Sequence, residues 1–151
     1  DITYIEVGNT WMYLCVIIDL FNREVIGWSL DTSLETKILV KAFMNAIKKR
    51  KPSVGCIFHS DRGIQYASKE FRSILEKHNM IQSMSRKGNC WDNAVAECFF
   101  KIIKTERVYH RKYQTYDEAN RDLFQYIEIV YNRKRIHSYL NFTSPAEFIK
   151  K

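Results

Sequence analysis

The chain is poor in residues that break regular structure: 151 residues contain only five glycines and two prolines. No Pro/Gly-rich linker, internal repeat or low-complexity tract divides it, so most of it belongs in helices and strands. No apolar run reaches the roughly 18 residues of a membrane span; the longest clean stretch is Trp11 to Ile18. The opening residues lack the basic-then-apolar pattern of a secretion leader, and a start on Asp1 reads as a piece of a longer protein. The four cysteines (Cys15, Cys56, Cys90 and Cys98) include no C-x-x-C pair, which disfavours zinc and dithiol chemistry. Cys15 and Cys56 sit in strand-like runs and Cys98 on the apolar face of a helix, so all four are expected to be free thiols in a reducing, intracellular setting.

What is present is the composition of one ordinary domain, 46% hydrophobic and 27% charged, with apolar mass enough for a core. The net charge of +7 is unevenly spread, being zero over 1–50, +2 over 51–100 and +5 over 101–151. A basic surface of this kind suits a polyanion, nucleic acid first, although a solvated lysine-rich face has the same composition.

Three strand signals come first: Ile2–Val7, Trp11–Ile18 and Arg23–Leu30, joined by short turns that imply an antiparallel meander. A helix is expected behind a capping box at Thr32 and Glu35, with Leu34, Ile38, Leu39, Ala42, Phe43, Ala46 and Ile47 at helical spacing. The run Lys48 to Lys51 suits the negative end of its dipole, and Pro52 ends it. Val54–His59 then reads as a strand, Ser68–His78 as a helix and Met80–Met84 as a short strand. A third helix spans about Asp92 to Tyr109, with Asp92 as its cap, and a fourth spans Tyr116 to Tyr131 behind Thr115 and Glu118. A meander followed by alternating strands and helices is a mixed α/β pattern.

Three carboxylates stand out by position. Asp1 opens the first strand, Asp61 directly follows the apolar strand in His59-Ser60-Asp61-Arg62-Gly63, and Glu97 lies within the third helix. Each has an ordinary reading as well: a frayed end, a turn aspartate and a solvated helix residue paired with Lys101. Asp19 is an alternative first carboxylate, although it fits a hairpin turn. At 100° per residue Ala94, Val95, Cys98, Phe99, Ile102 and Ile103 form a buried stripe, while Glu97, Lys101 and Lys104 share an adjoining face beside Asn93. A carboxylate flanked by amines can hold a cation while the lysines hold a phosphate backbone.

The strings Asp1-Ile2-Thr3-Tyr4, His59-Ser60-Asp61-Arg62-Gly63-Ile64-Gln65-Tyr66 and Asn89-Cys90-Trp91-Asp92-Asn93-Ala94-Val95-Ala96-Glu97 resemble the catalytic core of DDE transposases and retroviral integrases. Thirty-five residues separate Asp61 from Glu97, the spacing of that superfamily. The stretch Tyr131-Asn132-Arg133-Lys134-Arg135-Ile136-His137-Ser138-Tyr139-Leu140, followed by Ser144-Pro145-Ala146-Glu147-Phe148, is similar to bacterial insertion-sequence transposases whose catalytic half is a second reading frame. Asn141 departs from the glycine usual there, and the upstream DNA-binding parts are absent.

The resemblance implies a ribonuclease-H-like fold, a five-stranded mixed sheet flanked by helices, with the first and fourth strands side by side. It implies one catalytic domain over 1–151 with 132–151 as a basic C-terminal tail, and a loosely held Asp1 strand. Asp1 would bridge two Mg²⁺ ions, with Mn²⁺ a plausible substitute, Asp61 binding one ion and Glu97 the other. The implied reaction is cleavage of transposon DNA ends and joining of the freed 3′-hydroxyl to another phosphodiester. A nuclease of the same fold, or an inactive DNA-binding or assembly module, are the alternatives. The DNA-contacting residues would be Lys101, Lys104, Asn93, Arg86 and Lys87 of a closing loop, and Arg133, Arg135 and His137. Partners would be DNA and further copies of the chain, in a bacterial cytoplasm near the nucleoid. Trp11 and Trp28 read as core, and Trp91 less so.

Overall fold

The computed structural model describes Asp1–Lys150, apart from the side chain of Cys90. The reading of Cys90 as a buried thiol therefore lies outside the described residues, as does Lys151.

Strands β1 (Ile2–Val7), β2 (Thr10–Ile18) and β3 (Val25–Asp31) form the expected antiparallel meander, with registers running from Ile2↔Cys15 to Val7↔Thr10 and from Tyr13↔Asp31 to Ile18↔Val25. Period-two alternation sends side chains to both faces, and each face meets its own core. Ile5, Val7, Leu14 and Val16 pack with Phe99, Ile103, Leu123 and Ile127. Cys15 on the opposite face packs with Ile38, Leu39, Phe43, Phe58, Tyr66 and Phe71. The long apolar run of β2 is apolar because both of its faces are covered.

Helix α1 (Thr36–Lys49) buries Ile38, Leu39, Ala42, Phe43 and Ala46 as its spacing predicts. Its start differs. Thr32 makes no capping box; Asp31 Oδ1 accepts from Ser33 N at 3.1 Å and turns the chain, so the helix begins only at Thr36 with Leu34 exposed. An aspartate side chain that bonds its own backbone two residues on competes with helix entry. At the other end Lys49 Nζ reaches Glu24 and Glu128, each at 3.0 Å, and Arg50 joins Glu24. The basic run thus ties the helix end to the start of β3.

β4 (Ile57–Ser60) and β5 (Ile81–Met84) pair in parallel, connected by α2 (Ile64–Ala67) and α3 (Lys69–Lys77). The five expected strands are all present. They do not form one hydrogen-bonded sheet: three make one ladder and two another, and β1 and β4 share no ladder.

Helix α4 (Ala94–Glu106) follows a 3₁₀ turn over Cys90–Asn93, and α5 (Tyr116–Phe124) continues into a π-helix over Gln125–Tyr131. Thr115 caps α5 by accepting from Glu118 N at 3.2 Å. The widened turns bury Tyr126, Ile127 and Tyr131 and bring Asn132 to β3, which one regular α-helix would not have aligned. The segment after Tyr131 packs back on the domain. Ser144 forms a capping box with Glu147 at α6 (Pro145–Phe148), and Asn22 Nδ2 donates to Pro145 O at 3.2 Å. No helix among the described residues is long and apolar enough to cross a membrane.

Five burial expectations are corrected. Cys98 and Ala94 are exposed, because α4 rotates so that Phe99, Phe100 and Ile103 face the core. Cys56 is half-buried. Trp11 is 53% exposed on the β1–β2 hairpin, stacked edge-on with Tyr4, and Trp28 is half-buried with its indole N–H on Glu128.

Candidate active site

The site is built from the ends of β1 and β4 and the start of α4. Asp1 is no frayed end: its N–H donates to Val16 O and its C=O accepts from Val16 N, each at 2.9 Å, extending the β1–β2 ladder by one pair. Its carboxylate accepts from Ile2 N at 2.8 Å through Oδ1 and from the Asn93 side-chain amide at 2.9 Å through Oδ2. Asn93 immediately precedes α4, so this bond draws the helix start to the first carboxylate across 92 residues of chain.

Asp61 directly follows β4 and its Oδ1 accepts from Gly63 N at 2.8 Å. Arg62 Nε donates to Ser85 O at 2.8 Å and holds this turn against the end of β5. Asp61 lies within electrostatic range of the Asp1 main-chain nitrogen.

Glu97 lies in the first turn of α4, one turn beyond Asn93, and its exposed side chain makes no hydrogen bond or ion pair among the described residues. The helix pair with Lys101 is not formed, which leaves both side chains free. No group of three or more His, Cys, Asp or Glu side chains is gathered closely enough among the described residues to hold a metal ion. The donor chemistry of Asp1, Asp61 and Glu97 nevertheless suits a hard divalent cation, since all three offer carboxylate oxygens and no cationic side chain neutralises them.

The basic residues divide into free and engaged ones. Lys101 is exposed. Lys104 is held 4.8 Å over the Tyr4 ring, and burial lowers its pKa. Lys87 is exposed beside Gly88, whose φ of +73° suits glycine. Arg86 is clamped to Asp92 through its backbone N–H and guanidinium at 2.9 to 3.1 Å. Asp92 therefore pins the loop instead of capping α4, and hydrogen bonds from Arg86 bring its pKa down to about 2. The turn before α4 is capped by Asn89, whose Oδ1 accepts from Trp91 N at 3.1 Å, and the Trp91 ring is 83% exposed.

At the far end, Arg133 and Lys134 are exposed. Arg135 is committed to Glu106 at 2.8 Å, and His137 packs edge-on against Tyr131. Burial, with Arg135 beside it, lowers the His137 pKa. The structure thus brings together Asp1, Asn93 and the start of Glu97's helix, with Asp61 nearby, and places Arg133, Arg135 and His137 in a separate group. Asn93's tie to Asp1 has no local sequence signal, because the partners are 92 residues apart.

Residues 1–90 match the family described as integrase core domain, and residues 97–151 match a second family of the same description. The chain belongs to the integrase core domain family. This integrase core is 41% identical over 150 residues to the transposase for insertion sequence element IS904 of Lactococcus lactis, covering 99% of this chain and 59% of that protein. It is 40% identical over 151 residues to transposase InsF for insertion sequence IS3A of Escherichia coli, covering all of this chain and 52% of the relative. The chain thus spans between half and three-fifths of these curated relatives' length.

Among solved structures, a simian T-cell lymphotropic virus intasome aligns with a TM-score of 0.81 at 17% identity, over 100% of this chain and 52% of that one. The HTLV-2 integrase catalytic core in complex with magnesium aligns at 0.73 and 18% identity, over 98% and 91%. The Mos1 mariner transposase catalytic domain aligns at 0.65 and 17%, over 85% and 68%. The fold is the ribonuclease-H-like fold of these cores, with its strands here in sets of three and two.

Proposed function

We propose that this integrase core is the catalytic domain, over 1–151, of an insertion-sequence DNA transposase that cleaves element ends and joins the 3′-hydroxyl to a second phosphodiester. The observation that carries the reading is the Asn93–Asp1 hydrogen bond of 2.9 Å. It ties the start of the helix that bears Glu97 to the strand end that bears Asp1, which supports a site shared by these two carboxylates and Asp61. The insertion-sequence transposases named above support the substrate class.

Asp1, Asp61 and Glu97 would hold two Mg²⁺ ions, with Mn²⁺ an acceptable substitute. When bound, such ions activate the attacking oxygen and stabilise the leaving one. Asn93 orients the Asp1 carboxylate from the side. Lys101 and Lys104 hold the phosphate backbone of the DNA end, and the Arg86–Asp92 clamp carries Lys87 beside it. Arg133 and Lys134 add contacts further along the duplex. Arg135 serves this end through Glu106, and His137 through Tyr131. The dimeric and trimeric forms of the HTLV-2 core favour self-association of this chain around paired ends, at the bacterial nucleoid.

The test is nicking of plasmid DNA, and joining of a 3′-hydroxyl duplex to it, in Mg²⁺ or Mn²⁺. Glu97→Gln is expected to lower both by about a hundredfold. Equal activity in the two proteins removes the assignment, and nicking with no joining by the unaltered chain favours a hydrolytic nuclease.

A further inference from the structure

Tyr66 is the buried group of the domain whose chemistry is unspent. It sits on α2, five residues after Asp61, with 2% of its surface exposed. Its ring packs against Phe58 and Phe71 at centroid distances of 6.3 and 6.2 Å. Its hydroxyl is buried and has no hydrogen-bond partner among the described residues. The other buried rings of this cluster, Phe43, Phe58 and Phe71, are phenylalanines, so packing alone does not call for the oxygen. A buried O–H without an acceptor is costly, and such a group in a folded protein calls for an explanation, a functional role among them.

The surroundings identify that partner. Cys15 shares the buried cluster with Tyr66, and the turn that carries Asp61 borders the Tyr66 ring at Gly63. Cys15 is a poor acceptor at 0% exposure, its own thiol pushed up to about 11 by burial. Asp61 has capacity to spare, because Oδ1 takes the Gly63 N–H and Oδ2 accepts no hydrogen bond among the described residues. The turn is also tightly packed. A Cβ at Gly63 would stand 3.0 Å from Asp61 Oδ1 and 3.2 Å from Tyr66 Cδ2, so the carboxylate and the ring flank the same glycine.

We propose that Tyr66 is a positioning residue for Asp61: when a divalent cation gathers the carboxylates, its hydroxyl donates to Asp61 and fixes the orientation in which the carboxylate binds. The proposal rests on the reading of Asp61 as a metal ligand. The phenol then acts as the outer support that ligating carboxylates commonly have. Tyr66 touches neither DNA nor cation, and its contribution is the direction of one side chain.

The experiment is titration of Mn²⁺ into this chain, followed by the electron paramagnetic resonance signal of the free ion, for the unaltered chain, Tyr66→Phe and Asp61→Asn. Thermal melting of the metal-free proteins runs alongside. Tyr66→Phe removes only the unpartnered oxygen, so its metal-free melting temperature stays level or rises while Mn²⁺ affinity falls about tenfold. A packing role alone would move melting and leave affinity unchanged. If Asp61→Asn loses Mn²⁺ binding and Tyr66→Phe binds as tightly as the unaltered chain, the positioning role is overturned and the metal site stands. If Asp61→Asn and the unaltered chain behave alike, the metal reading fails and the Tyr66 role with it.

Discussion

Single side chains settle several questions here through their partners. Glu24, Glu106 and Asp122 are each partly buried, which by itself would raise their pKa values. Hydrogen bonds from Lys49 to Glu24, from Arg135 and Tyr126 to Glu106, and from Arg107 and Tyr113 to Asp122 outweigh burial and hold all three carboxyls below the ordinary range. A carboxyl depressed in the folded state stabilises it above the unfolded value of about 4, and that stability is lost as pH falls through the folded value. Urea midpoints are therefore expected to be level from pH 7 to 5 and to fall below about pH 4. Asp122→Asn should remove part of that fall; an unchanged acid limb in this variant would contradict the account. Asn132 makes a second residue-scale case. It is 2% exposed, and its amide pairs with both Val25 N and Val25 O at 2.9 Å, standing in for a missing strand. Asn132→Ala should cost about 2–4 kcal/mol, read by chemical denaturation, because two buried backbone groups lose their partners.

At the scale of elements, α1 on β3 shows how a close approach is encoded. Gly27 is buried under the helix, and a Cβ there would lie 2.2 Å from Ala42 O and 2.7 Å from Ala46 Cβ. With Ala46 N at 2.8 Å as well, every such contact is with helix backbone or a helix methyl that cannot swing aside, so Gly27→Ala should destabilise by about 3 kcal/mol or more and lower the melting temperature. The outer edge of β3 is guarded in the same economical way. Asn45 donates to Trp28 O and Tyr116 to Leu30 O, each at 3.2 Å, and Asn132 covers Val25. An edge so covered resists pairing with another strand. Element existence was legible in the sequence because apolar periodicity survives into the fold: all five strands and the helices starting near Thr36, Lys69, Ala94 and Tyr116 follow it. Boundaries were less legible. The Asp31 side chain displaced the expected Thr32 cap, and a π-helical continuation replaced regular turns after Phe124. Both outcomes depend on competing hydrogen bonds that local pattern does not rank.

For the whole molecule, the charge of +7 acts through the lysines that no carboxylate claims. Several conspicuous cations are engaged: Lys49 and Arg50 with Glu24, Arg107 with Asp122, Arg135 with Glu106. Lys101 is free beside Glu97. The logarithm of DNA affinity should fall linearly with the logarithm of salt concentration, and Lys101→Ala should reduce that slope by about one. An unchanged slope would place the duplex on another face.

The sequence by itself determined the class of the domain, the three carboxylates and their spacing, because those are properties of residue identity and order. It also determined that the middle of β2, Leu14 to Val16, is covered on both faces, since a run apolar at successive positions has no face to give to water. Only the tertiary structure decided which polar group meets which. Asn93 on Asp1, Asp92 on Arg86, Arg135 on Glu106 and the burial of the idle Tyr66 hydroxyl all depend on groups brought together from different elements or by the path of a loop. Hydrogen bonds are short-ranged and directional, so their partners are chosen only once the packed elements have fixed the distances.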